Sequence, residues 1–231
     1  GSLNEKACEA LSFGSKGVAY LNTGEGGYGP HGIAGGDNVF QIGTGKFGVG
    51  ENGTLNDGSP TRLLRKDLLD KLVNDNDNIK MLQIKISQGA KPGLGGHLPA
   101  RKVTPSIAAV RNVKPYTPVI SPAQHAELLA STGKQSIKQL LDFIEDLKKM
   151  THLPVGIKMC IGRLEEIDLL VDAMRYKKSG PNAIQIDGSD GGTGAAPNLY
   201  LNYVGHGTGI EGIAYLNQKL KSERLRDNVS L

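Results

Sequence analysis

The chain has 231 residues, 38% of them hydrophobic and 22% charged, a composition that fits one large domain or two small ones and excludes a disordered chain. A net charge of only +4, with few aromatics and none interleaved with basic patches, argues against a nucleic-acid module. No apolar run approaches membrane-spanning length and no signal peptide is visible.

In chain order, "NEKACEALSFGSKG" predicts a short helix capped by Asn4 and stopped near Gly17. "VAYLN" predicts a strand running into a glycine loop, and "NVFQIGTG" a second strand. "RLLRKDLLDKLV" places Leu64, Leu68 and Leu72 on one helical face, and "IKMLQIKIS" predicts a third strand. In "SIKQLLDFIEDLKKM", Ser136 and Gln139 have capping-box spacing, and Ile137, Leu140, Leu141, Ile144 and Leu147 form one stripe. "PVGIKMCIG" is a fourth strand, "EEIDLLVDAMRY" a helix, "NAIQIDGSDGG" a fifth strand and "GIEGIAYLNQKLKSERLRDN" a closing helical stretch. Strands and helices alternate, with glycine-rich segments after the strands, as in parallel α/β proteins whose ligands gather beyond the strand ends. The long connections, Gly24 to Pro60 and Gly89 to Thr132, are candidate functional loops.

Charge inside the strands marks the chemistry. Lys85 sits between Ile84 and Ile86, and Lys158 between Ile157 and Met159. A lysine in an apolar strand loses hydration unless an anion receives it. Snorkelling or a structural ion pair explains one such lysine; two in separate strands favour a shared anionic ligand. Lys91 and Arg111 add positive charge, and an arginine fork suits a carboxylate. Glu25, among glycines after the first strand, is placed to orient an amine or transfer a proton; a solvated loop acid is the competing reading. Gln41 and Gln185 are strand amides able to bond a heterocycle edge or neighbouring strands.

Of the histidines, His97 lies in "KISQGAKPGLGGHLP", whereas His31, His125, His152 and His206 read as loop or surface residues. Cys8 and Cys160 lack metal-ligand spacing, read as small buried hydrophobes, and point to a reducing, cytoplasmic location.

Taken together, "NTGEGG", "QIGTGKFG", "KISQGAKPGLGGHLP", "VISP", "GIKMCIG" and "DGSDGGTGAAP" resemble, in order over nearly the whole chain, the FMN-binding synthase domain of glutamate synthases, in particular its short, stand-alone branch. The resemblance implies a (β/α)₈ barrel, here an α/β partial TIM-type barrel with about strands two to six of eight, forming one incomplete domain over residues 1–231. It implies FMN as cofactor, with a 3Fe–4S cluster whose closely spaced cysteines this chain lacks. The implied reaction is reductive amination of 2-oxoglutarate to L-glutamate through 2-iminoglutarate. Glu25, Lys85, Lys91, His97 and Arg111 would surround the oxoacid, with Glu25 and Lys85 catalytic. Gln41, Lys158, Gly191, Gly192 and Thr193 would meet the flavin. His97 stands where many relatives carry glutamine, which bears on substrate preference.

Ferredoxin or another electron donor is the implied partner. The two unpaired edges of a five-stranded arc predict self-association. Two alternatives stay open: a truncated, non-catalytic remnant without cofactor, and a flavin barrel acting on a different carbonyl substrate.

Overall fold

A computed structural model of the chain describes residues 3–29, 35–91, 93–129, 133–188 and 208–231. Along the described residues run β1 (Leu21–Asn22), β2 (Asn38–Ile42), β3 (Gly50–Thr54), β4 (Pro60–Leu64), β5 (Ile79–Lys85), β6 (His97–Leu98), β7 (Val119–Ile120), β8 (Val155–Met159) and β9 (Ala183–Ile186). The helices are α1 (Glu5–Ser15), α2 (Lys66–Asn74), α3 (Pro105–Arg111), α4 (Gly133–Thr151), α5 (Leu164–Lys177) and α6 (Thr208–Ser222). Five strands form one parallel sheet in the order β1-β2-β5-β8-β9, while β3-β4 and β6-β7 are antiparallel pairs. Parallel neighbours joined through helices define the α/β class and a partial TIM-type (β/α)₈ barrel.

The chain divides into two compact units, Gly1–Gln83 with Gly95–Pro122, and Ile84–Leu94 with Ala123–Leu231. In the first, β2 is buried along its whole length, and Leu69, Ile79, Leu82, Val103 and Ala108 are buried core residues. The side chain of Asn4 accepts from the Ala7 amide (2.9 Å) and starts α1. Helix α3, unforeseen in the sequence, has Thr104 as N-cap, Pro105 in its first turn and Asn112 in the left-handed conformation beyond its end.

The expected stripe Leu64–Leu68–Leu72 is corrected. Leu64 closes β4, and α2 buries Leu69 fully, because residues 60–64 pair with β3 instead of extending the helix. That hairpin was also missed. "NDGS" makes its turn: the Ser59 amide donates to Asp57 Oδ1 (2.9 Å), and Gly58 sits at φ +81°, where a side chain is strained. Its anchor is Lys46, fully buried, whose Nζ donates to the Arg62 carbonyl (3.0 Å). Arg62 in turn donates to the carbonyls of Gly45 (3.0 Å) and Gly50 (2.8 Å).

In the second unit, α4 buries Leu140, Leu141, Ile144 and Leu147, as the stripe predicts, and adds Phe143. The helix starts at Gly133, so Ser136 lies inside it and the capping-box reading fails. Helix α5 contributes Ile167, Leu170, Val171 and Met174, and α6 contributes Leu216 and Leu220. The outer edge of β9 is not bare, as the sequence reading had it: Ser230 forms a parallel bridge with Ala183, and the Ile184 amide donates to the Ser230 carbonyl (2.8 Å). No helix among the described residues is long and apolar enough to cross a membrane.

Candidate functional site

In the first unit, the loop after β1 is shaped by its own polar groups. Asn22 Oδ1 accepts from the Gly24 amide (2.9 Å), and Thr23 Oγ1 accepts from the Gln41 amide (3.1 Å). Gly24 and Gly27 have positive φ, and a methyl at Gly27 would stand 2.7 Å from the Val110 carbonyl, so α3 can approach only glycine there. The turn thereby carries Glu25 against two bare Cα positions. A methyl on Gly43 would lie 2.6 Å from Glu25 Oε2, and one on Gly96 would lie 3.4 Å from Oε1.

Arg111 ends α3, at the negative end of its helix. Its guanidinium rests 4.6 Å from the centre of the Phe47 ring, and Nη2 lies 3.5 Å from where a Gly26 methyl would be. Burial pulls the Arg111 pKa below its ordinary value, and the negative charge of Glu25 pushes it back. Glu25 and Arg111 are therefore electrically coupled in one corner. A cavity of about 430 Å³ adjoins it, with Arg111, Asn22 and Thr23 on its polar side and Leu21, Ile107 and Val110 on its apolar side.

Three strand amides line up beneath. Gln83 Oε1 accepts from both Asn22 Nδ2 (2.8 Å) and Gln41 Nε2 (2.7 Å), one side chain from each of β1, β2 and β5. Of these, only Gln41 was singled out in the sequence; alternation in "MLQIK" was the available signal for Gln83. His97 is exposed in β6, and Ser121, just after β7, is buried.

The second unit holds the lysines. Lys158 at the end of β8 pairs with Asp187 (3.1 Å), both side chains largely shielded, and Asp187 Oδ2 also accepts from the Gly89 amide (3.1 Å). Lys85 Nζ donates to Gln88 Oε1 (3.0 Å), and Lys91 is buried at the same loop. The neighbouring Ile84 and Ile157 are fully buried. Gly89 faces bare backbone: a methyl there would stand 2.2 Å from the Gly188 carbonyl. Asp187 and Gln88 were not foreseen; as partners, they are recognisable only once the strands are set side by side.

Several readings are corrected here. His125 is buried, not superficial: its Nε2 donates to the Lys85 carbonyl (2.8 Å) and its ring packs near Phe143. Cys160 is buried as expected, held by Ser87 (3.2 Å) and with its thiol pKa raised by burial, but Cys8 is only half-buried. Gln185 is exposed in β9. Gly191, Gly192, Thr193, His31 and His206 lie outside the described residues.

Parallel β/α sheets of this kind take their ligands beyond the carboxyl ends of the strands, which sets the class as an α/β ligand-binding fold. The comparisons narrow the class: residues 1–231 match the family model described as the conserved region in glutamate synthase, and the chain belongs to that family. It is 40% identical over 200 residues to the glutamate synthase large subunit-like protein YerD of Bacillus subtilis, covering 85% of this chain and 35% of that protein. It is 34% identical to the archaeal glutamate synthase [NADPH] of Methanocaldococcus jannaschii, covering 92% of this chain and 36% of that one. It is 35% identical to the ferredoxin-dependent glutamate synthase of Pyropia yezoensis, covering 84% and 10% respectively. The chain thus spans well under half the length of these relatives.

Proposed function

We propose that this chain carries part of the reductive-amination centre of a flavin-dependent glutamate synthase, as one incomplete barrel domain of a cytoplasmic enzyme. The observation that carries the reading is the coupled Glu25–Arg111 corner, a carboxylate and an arginine fork held together by glycine-lined backbone. In this reading Arg111 receives a carboxylate of 2-oxoglutarate; the substrate roles of Lys85, Lys91 and His97 rest on the resemblance alone. Glu25 orients the imine nitrogen of 2-iminoglutarate and holds the proton that nitrogen takes up.

FMN is the cofactor of the reading, and it supplies the hydride when bound in its reduced form. In this reading Lys158, at the end of β8, supplies positive charge to the flavin. The flavin roles of Gln41, Gly191, Gly192 and Thr193 rest on the resemblance, as does the 3Fe–4S cluster. The electron donor is a redox partner such as ferredoxin, in line with the names of two relatives, one NADPH and one ferredoxin-dependent.

The test uses the full-length protein. With reduced FMN, 2-oxoglutarate and ammonium, glutamate is expected, and Glu25→Gln and Arg111→Ala should abolish most of it. Flavin that binds but is not perturbed by 2-oxoglutarate would point to another carbonyl substrate. Protein that neither binds flavin nor makes glutamate would be the non-catalytic remnant.

A further inference from the structure

We propose that Ser121 is a positioning residue for Glu25: its hydroxyl is the second resting place of the Glu25 carboxylate, taken up when a ligand carboxylate occupies Arg111. The inference rests on the reading of Arg111 as the oxoacid's receiver and adds a residue to it.

Ser121 follows β7, and its amide donates to the Gly96 carbonyl (2.8 Å), which fixes its backbone beside the glycine loop. Its side chain is 5% exposed, and Oγ has no hydrogen-bond partner among the described residues. A buried hydroxyl without a protein partner is a donor that a neighbouring acceptor can take. The glycines point to which. A methyl on Gly45 would lie 2.8 Å from Ser121 Oγ. A methyl on Gly96 would lie 3.2 Å from that same Oγ and 3.4 Å from Glu25 Oε1. Hydroxyl and carboxylate thus flank one bare Cα, with nothing branching between them, and a change of Glu25 rotamer is the motion that joins them.

Arg111 supplies the reason to move. Its charge is coupled to Glu25 when no ligand is present. A ligand carboxylate on the same guanidinium brings a second negative charge to the corner, and like charges at short range repel. Ser121 then offers Glu25 a neutral donor without expelling it from the site.

The first experiment measures 2-oxoglutarate binding to the full-length protein by calorimetry, without ammonium. Ser121→Ala is expected to weaken binding about 5-fold, the scale of one hydrogen bond. Ser121→Thr, which keeps the hydroxyl, should bind within about 2-fold of the parent on the same scale. In a Glu25→Gln background, Ser121→Ala should cost much less, because a purely structural serine would show the same loss in both backgrounds. Wild-type-like binding by Ser121→Ala, or an undiminished loss in the Glu25→Gln background, overturns the inference. A parent protein that does not bind 2-oxoglutarate refutes the functional reading instead. The second experiment then decides for Ser121 with no ligand: in a crystal structure of Arg111→Ala, the Glu25 carboxylate is expected within hydrogen-bonding distance of Ser121 Oγ. A carboxylate that stays away from it overturns the proposal.

Discussion

The Glu25–Arg111 corner of the first unit and the Lys158–Asp187 corner of the second each set a cation against a carboxylate, yet they are built differently. Asp187 is committed twice, to Lys158 and to the Gly89 amide. Glu25 stands on bare glycines beside a coupled arginine, with a buried hydroxyl across Gly96. A carboxylate held from two sides is a fixed strut. Glu25 instead packs against Gly43, where a methyl would stand 2.6 Å from its Oε2. The difference teaches that similar charge pairs can be built in unlike ways, one from a strand-end ion pair and a backbone amide, the other from a glycine turn and a helix end.

Substitutions should separate the two corners. The largest effect is expected for Arg111→Ala, which removes the proposed receiver of the oxoacid's charge: kcat/KM of the full-length protein for 2-oxoglutarate should fall about 100-fold while the melting temperature moves little. Equal damage to stability and turnover would erase the contrast. In the second corner the damage should be structural. Gly89→Ala places a methyl 2.2 Å from the Gly188 carbonyl, and denaturant unfolding should show a loss of about 2 kcal/mol.

Thiol labelling sharpens the comparison further. Cys160, next to the second corner, is buried and its pKa is raised first by burial, with the Ser87 hydrogen bond opposing. Cys8 borders the cavity of the first unit and is half-buried. Cys8 should react about 10-fold faster, or more, with a maleimide or disulfide reagent at neutral pH, because Cys160 is buried with its thiol pKa raised while Cys8 is more accessible. Equal rates would mean that the second corner opens readily.

The smallest effect lies outside both corners. The Ser179 hydroxyl donates to Glu145, and this bond, with help from Lys148 and against the opposing effect of burial, holds the Glu145 carboxyl below the usual carboxylate range. A carboxylate with a depressed folded-state pKa adds stability above its unfolded pKa and loses it as pH falls through the folded value. Ser179→Ala should therefore cost less than about 1 kcal/mol near neutral pH, since water still reaches Glu145. The gap between variant and parent should close in acid, and a gap independent of pH would assign the loss to packing.

Much of the architecture was legible in the chain. All five sheet strands and the helices α1, α4, α5 and α6 follow from apolar periodicity, because a buried face must repeat with the geometry of its element. The elements missed were short and governed by turn chemistry: the "NDGS" hairpin and the "TPS" start of α3 carry readable signals, but weak ones inside a long polar stretch. Glu25, Arg111, Lys85 and Lys158 were singled out because charge beside apolar strands is conspicuous. Gln83, Asp187, Lys46 and Ser121 were not, since each is an ordinary polar residue until its neighbour is known.

By itself, then, the order of residues determined which segments become strand or helix and which side chains bring charge to the strand ends, for both depend on neighbours along the chain. Partnership was decided only in three dimensions. Lys158 meets Asp187, Lys46 meets the Arg62 carbonyl, and His125 is drawn under Lys85. Hydrogen bonds and ion pairs act over a few ångströms of space, and packing alone brings residues so far apart in sequence within that range.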